Sequence, residues 1–382
     1  MKSSHRALGM LALISATVLF ATGCTDASSA SPEDREAAES AELHATVLDS
    51  QLAALDASLP AIEVELGNGM KVPFEEGESL KVAFNGYGKG FDYSVPEFDA
   101  ARAMVDELGV TVDEFDPSGD PQKQVAQLQD IMTSGKYNAV VVYPLSPDLT
   151  CDILTRQMPE SGILTVAVGN PACTTEDSAG VVTTIPDTGG TDYVYPAWAE
   201  QIAKRETDGR ALVLTGPELD FGAKMAGAAA EKVFPEYGHE VLAVLRTDFT
   251  QADSLQKVQD ALQANPSTTM IVSSFPEGTQ AALTAVRVAG LEDQVRVYDF
   301  GANAHALEEI EQGLVAGSSP FYPYTKVRAA FIALQLVRHG VAVDPYIPYS
   351  GHAPESMRPD GAEIMFVTED NVASFSELVA EY

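Results

Sequence analysis

Positive charge is what this chain has least of: 23 Lys and Arg stand against 56 Asp and Glu, a formal net charge of −33 over 382 residues. Nucleic acid and anionic lipid heads are polyanions that need a basic surface, so both are excluded as partners of the folded chain. Cysteine is scarce as well, with three, and the six His are scattered. Neither type forms the spaced sets that hold a metal ion, and no metal or other cofactor is expected. The chain also lacks a G-x-S-x-G elbow, an H-E-x-x-H helix and a phosphate-binding loop, so it is read as a binding protein rather than an enzyme.

Long apolar runs are missing except at the amino terminus. There Lys2 and Arg6 precede the run from Leu8 to Phe20, which is short for a bilayer span and ends in small residues, as a secretion signal does. Ala21-Thr-Gly-Cys24 resembles the lipobox of bacterial lipoproteins, with Ala21 where Leu is usual. That resemblance implies removal of residues 1–23, a lipid on Cys24, and an extracytoplasmic chain anchored to the cell membrane by lipid alone, in a periplasm or on an outer face. Cys151 and Cys173 then form an even pair in an oxidising compartment, where a single disulfide is the leading reading. Two buried thiols or a metal site are the other two. Residues 24–79 read as an acidic tether and amino-terminal extension, with twelve acidic residues against two basic ones between Ser31 and Leu80. Val47, Leu48, Leu52 and Leu55 have the spacing of a short helix packed on the main body.

The body begins at Lys81-Val-Ala-Phe-Asn85, a strand followed by the loop Gly86-Tyr-Gly-Lys-Gly-Phe-Asp-Tyr93. Its alternate glycines do not open directly into a helix, so it is no dinucleotide fingerprint. Ser94-Val-Pro-Glu97 has the form of a capping box, and the helix after it is expected to bury Val95, Phe98, Ala101, Val105 and Leu108 before Gly109. Asp120 caps a second helix that Gly135 ends, and Ala139-Val-Val-Val-Tyr143 has the continuous apolar character of a strand buried on both faces. Further strands are expected at 110–115, 163–168, 211–215, 240–245, 269–274, 295–300 and 314–319, with helices between. One βα series repeated gives an α/β fold of two Rossmann-like lobes with parallel sheets and a cleft between them.

The order of these motifs resembles the bacterial solute-binding proteins of the ribose and galactose type, also called type I periplasmic binding proteins. The likeness runs from about Leu80 to the carboxyl terminus. It rests on Asp120 with Gln124, Ala139-Val-Val-Val-Tyr-Pro144, Asp187-Thr-Gly-Gly190, Leu262-Gln-Ala-Asn-Pro266, Ala285-Val-Arg-Val-Ala-Gly290, Asp299-Phe300, Glu311-Gln-Gly313 and Val367-Thr-Glu-Asp-Asn371. It implies a three-segment hinge, with one lobe of residues 80–186 plus 322–348 and another of 187–321 plus 349–382. It also implies a monomer that closes on a small molecule and delivers it to the permease of an ABC importer; a ligand-sensing receptor for a membrane signalling protein is the alternative. Lactose-repressor relatives share the core but begin with a DNA-binding helix-turn-helix, and a signal peptide occupies that place here.

Carried over by segment, the family's ligand contacts fall on Tyr93, Asn170, Lys224 where Arg is common, Phe249, Phe275 in place of a frequent Asn, Gly301 near a frequent Asp with Asn303 close by, and Phe321 in place of a Gln or Asn. Tyr87 and Phe91 on the glycine-rich loop are added for their position. A sugar site needs planar polar groups for vicinal hydroxyls and rings against the sugar's apolar faces. Rings outnumber polar groups here, although each ring suits core packing as well as ligand contact. The expectation is a small molecule, a monosaccharide by family default, or one with an apolar or aromatic face and an anionic end met by Lys224.

Overall fold

A computed structural model describes residues 48–174, 178–186, 191–347, 364–375 and 380–382. The secretion signal, Cys24, residues 24–47 of the tether and the Asp187-Gly190 segment lie outside them. Residues 48–53 are helical, with Leu48 packed on the first lobe's core, and an antiparallel hairpin of β1 (Ile62–Glu65) and β2 (Lys71–Phe74) follows. A first βα series follows: β3 (Lys81–Asn85), α1 (Val95–Leu108), β4 (Thr111–Phe115), α2 (Pro121–Ser134), β5 (Ala139–Val142), α3 (Pro147–Asp152), β6 (Leu164–Gly169) and β7 (Thr183–Pro186). The second comprises α4 (Thr191–Ala203), β8 (Arg210–Thr215), α5 (Phe221–Glu236), β9 (Glu240–Arg246), α6 (Gln251–Ala264), β10 (Met270–Ser273), α7 (Pro276–Ala289), β11 (Arg296–Gly301), α8 (Ala304–Glu311) and β12 (Gly317–Pro320). Helix α9 (Pro323–Arg338) comes next.

Each series makes one all-parallel five-stranded sheet, ordered β4-β3-β5-β6-β7 and β12-β11-β10-β8-β9. In both sheets the first strand of the series sits between the second and third, so strand order reverses beside β3 and beside β8. Loops leaving the carboxyl ends of strands at such a reversal open a crevice for ligands. Val140, Val141 and Val142 have no exposed surface, as a strand covered by helices on both faces requires. Helix α9 returns to the first lobe, where Val327, Phe331 and Leu334 join Phe84, Phe98 and Val166 in one core. Val367 exchanges backbone hydrogen bonds with Ser318 at 2.7 and 2.9 Å, and Phe366 enters the core of the second lobe.

Several local expectations are corrected. Val95 and Val105 are 46% and 40% exposed, while Glu97, Ala100 and Met104 are buried. Helix α1 is turned so that α9 covers Glu97. The capping box does not form: the Ser94 hydroxyl donates to the carbonyls of Gly88 and Phe91, and Glu97 accepts from the Tyr87 amide at 3.2 Å. Strand β7 and the hairpin were not anticipated. The hairpin sends Val64, Val72 and Phe74 into the first lobe's core, so the body starts well before Leu80. The twelfth strand begins at Gly317, three residues late, and Leu314 is 42% exposed. Cys151 and Cys173 are joined in a disulfide. Cys151 is in helix α3, so the bond ties a helix to the segment after β6.

Candidate functional site

The loop after β3 builds the first wall. Gly88, at φ 153°, lies so near the backbone of Ser118 that a Cβ would meet its Cα at 2.9 Å, and the Gly119 amide donates to the Tyr87 carbonyl at 3.0 Å. Only glycine takes that conformation beside another backbone. The loop is thereby held down, and Tyr87, Phe91 and Tyr93 point to one place. Tyr87 has ring neighbours on every side: Phe91 at 5.0 Å, Tyr143 at 5.3 Å, Tyr93 at 6.1 Å and Phe249 at 6.2 Å between centroids, all near perpendicular. Edge-to-face pairs of this kind are favourable beyond the area they bury.

The second wall comes from the carboxyl ends of β9, β10 and β12. Phe249 is held at φ 66°, a left-handed conformation that strains a residue with a side chain by roughly 1–2 kcal/mol. Its ring lies over Gly216, where any Cβ would come within 1.9 Å of it. It meets Phe275 at 5.1 Å on its own lobe and Phe91 at 6.0 Å on the other. Phe321 meets Phe300 at 4.6 Å and crosses to Tyr93 at 4.9 Å. Rings from both sheets therefore form one continuous aromatic patch between the lobes.

Polar groups join the lobes as well. The Tyr87 hydroxyl donates to Asp220 Oδ2 at 2.9 Å, and the Phe221 amide donates to the Leu145 carbonyl at 3.2 Å. Asp220 is the N-cap of α5, its Oδ1 accepting from the Ala223 amide at 2.7 Å. Burial nevertheless pushes its carboxyl up to about 6, against the lowering by those donors. Burial and the neighbouring Asp220 charge raise the Tyr87 hydroxyl far above its ordinary value. Glu277, in the first turn of α7, is raised by burial and by the charges of Asp92 and Asp299. Asp299 is fully buried and raised by that burial, and it accepts from Thr279 Oγ1 at 2.5 Å and Ser318 Oγ at 2.6 Å.

On the first lobe's side Lys326 of α9 meets Glu97 at 2.8 Å, both with no exposed side-chain surface. The Lys326 ammonium lies 4.5 Å from the centre of the Tyr93 ring and 4.7 Å from that of Tyr143, and it donates to the Tyr93 hydroxyl. The sequence reading missed this pair, Asp220 and Glu277. Glu97 and Lys326 carry no signal of burial in the sequence, and that of Asp220 and Glu277 is only their nearness to Phe221 and Phe275 in strand-end loops.

Of the expected contacts, Tyr87, Phe91, Tyr93, Phe249, Phe275 and Phe321 converge on the patch. Asn170 is buried and spends its side-chain amide on the Pro144 carbonyl at 2.8 Å. Asn303 caps α8, its Oδ1 accepting from the Ala306 amide at 2.8 Å. Lys224 is exposed on α5. Gln124 explains the motif it shares with Asp120: its side chain donates to Asn85 Oδ1 at 2.7 Å and the Tyr143 carbonyl at 2.8 Å, and accepts from the Leu145 amide at 2.9 Å. It fixes the loop that carries Tyr143.

A family model described as a periplasmic binding protein domain matches residues 82–339. The ribose import binding proteins of Salmonella typhimurium and Escherichia coli are each 23% identical to the chain, over 221 and 223 residues, 58% of this chain and 72% of theirs. An ABC transporter solute-binding protein from Burkholderia graminis, solved with D-arabinose, has a TM-score of 0.67 at 18% identity, covering 79% of this chain and 100% of that one. A Caulobacter myo-inositol binding protein gives 0.65 at 19% identity over 79% and 97%. At such identities the solved structures bear on the fold alone.

Proposed function

The chain belongs to the periplasmic binding protein domain family, and from that membership we propose that it captures a small molecule, a sugar or a sugar-like solute with an apolar face, between its lobes and delivers it to the permease of an ABC importer. The observation that carries the reading is the aromatic patch built from the carboxyl ends of both sheets and bridged by the Tyr87–Asp220 hydrogen bond. Such a patch gives the lobes a reason to close, and a solute that enters it is enclosed from both sides. Strand-end rings would stack on the apolar face of the solute, and the carboxylates would accept from its hydroxyls. In this reading the chain is a monomer tethered to the membrane through a lipid on Cys24. It has one lobe of residues 80–186 with 322–348, joined by the hairpin at 62–74, and another of 187–321 with 349–382.

The test is the melting temperature of the purified chain with D-ribose, D-arabinose, myo-inositol, D-galactose and a set of aromatic and aliphatic organic acids. A ligand bound only by the folded state raises it, by about 2.7 kcal/mol of stability at a hundredfold excess over Kd. A saturable rise with one solute, lost in Tyr93→Ala, supports the reading. Turnover of the bound solute by the purified chain would overturn it.

A further inference from the structure

The two sides of the cleft hold acids in different company. On the first lobe Glu97 has Lys326 at 2.8 Å, and that ammonium rests on the faces of Tyr93 and Tyr143. The arrangement is a complete ammonium site: a carboxylate for the charge and two rings for the faces. On the second lobe Asp220 accepts from the Tyr87 hydroxyl, whose ring meets Phe249 at 6.2 Å, and Glu277 follows Phe275 by two residues in the first turn of α7. The charges of both acids act on that hydroxyl, and among the described residues no Lys or Arg forms an ion pair with either acid. The groups that act on Asp220 are the Tyr87 hydroxyl and the amides of Gly222 and Ala223; those that act on Glu277 are its own amide and the acids Asp92 and Asp299. Helix amino termini lend partial positive charge to both. Among the described residues neither meets a whole one, and burial raises the proton affinity of both carboxyls.

We propose that the solute this cleft takes is a small organic cation, its primary or quaternary ammonium lodged between Phe249, Phe275 and the carboxylates of Asp220 and Glu277. The inference rests on the solute-binding reading above and gives the solute a charge opposite to the one expected from Lys224. An ammonium suits these groups for the reasons that place Lys326 across the cleft. Ring faces are attractive to it, two carboxylates without a cation gain one, and a neutral sugar would leave them uncompensated. The rings Tyr87 and Phe91 on the first lobe would close the cage, since both already touch Phe249.

The experiment is calorimetry and thermal melting of the purified full chain with matched pairs that differ in charge at nearly constant shape: choline against 3,3-dimethylbutan-1-ol, and 2-amino-2-deoxyglucose against glucose. The expected result is binding of the charged member of at least one pair with its neutral partner at least about tenfold weaker, the size of one desolvated cation–ring contact. Glu277→Gln and Asp220→Asn, each nearly isosteric, should each remove most of that preference while leaving circular dichroism unchanged. Equal binding of the neutral members, binding of neither member of any pair, or a charge preference untouched by both variants overturns the inference. If D-ribose, D-arabinose or myo-inositol raises the melting temperature while the cations do not, the inference falls and the solute-binding reading stands. A flat response to every solute of both panels counts against both.

Discussion

Glu97 and Asp220 occupy comparable places, each near the carboxyl end of the first strand of its sheet and each hydrogen-bonded to Tyr87, one to its amide and one to its hydroxyl. Their solutions to burial differ. Glu97 is met by a lysine, whereas Asp220 is met by a phenol, helix amides and a raised affinity for a proton. A buried charge that has a permanent partner is part of the scaffold. One that relies on a proton can exchange it for something better, and this separates the wall that holds the cleft's shape from the wall proposed to meet the solute.

The comparison breaks most severely if the permanent partner is removed. Lys326→Met leaves Glu97 buried without its cation, which costs about 3–5 kcal/mol in comparable buried pairs. Urea denaturation should show that loss, and the double variant with Glu97→Gln should recover much of it, because two neutral groups of similar size need no compensation. If Lys326→Met alone is harmless, the pair is not part of the scaffold.

The second test concerns the wall without a lysine. The folded-state value of the Asp220 carboxyl is raised from 3.8 to about 6, so between those values the folded chain holds a proton that the unfolded chain has released. The contribution to stability is full below about pH 4 and is lost as pH rises through 6, a difference of about 3 kcal/mol for a shift of this size. Carboxylates elsewhere with lowered values, such as Asp113 and Glu200, act in the opposite direction. The quantity to measure is therefore wild type minus Asp220→Asn, whose amide can still cap α5. That difference should decline from pH 4 to pH 7, and a level difference would mean the carboxyl is not desolvated.

Much of the architecture was legible because a strand covered on both faces has to be apolar throughout. Ala139 to Val142 announces itself in that way, and so do the capped helices that flank it. Strand β7 did not, since Thr-Thr-Ile-Pro is short, half hydroxylated and closed by a proline. It gains pairing from Pro345 to Ile347, which return to it from far along the chain: the Thr184 amide donates to the Pro345 carbonyl and the Ile347 amide to the Thr184 carbonyl, both at 3.0 Å. The hairpin was hidden by composition, its Glu63 and Glu65 alternating with apolar residues inside a stretch read as acidic tether. The aromatic half of the cleft could be read from strand ends alone. Its charged half could not, because Glu97 and Lys326 each look like the solvated residue of an amphipathic helix, and only the packing of α9 on α1 buries them together.

Asn303 gives the smallest and most discriminating test of that limit. By segment it fell among the ligand contacts, yet its side chain is occupied as the N-cap of α8, accepting from the Ala306 amide at 2.8 Å. A capping Asn changed to Ala costs about 1 kcal/mol, and the loss is local to the helix. Asn303→Ala should therefore lower the denaturation midpoint slightly and leave the affinity for any bound solute unchanged, while Phe249→Ala removes a ring that touches both lobes and should weaken that affinity strongly. The reverse result would put the solute nearer to α8 than to the rings. It would also require the Ala306 amide to find another acceptor, because an N-cap side chain can serve a ligand only if the helix amide is satisfied elsewhere.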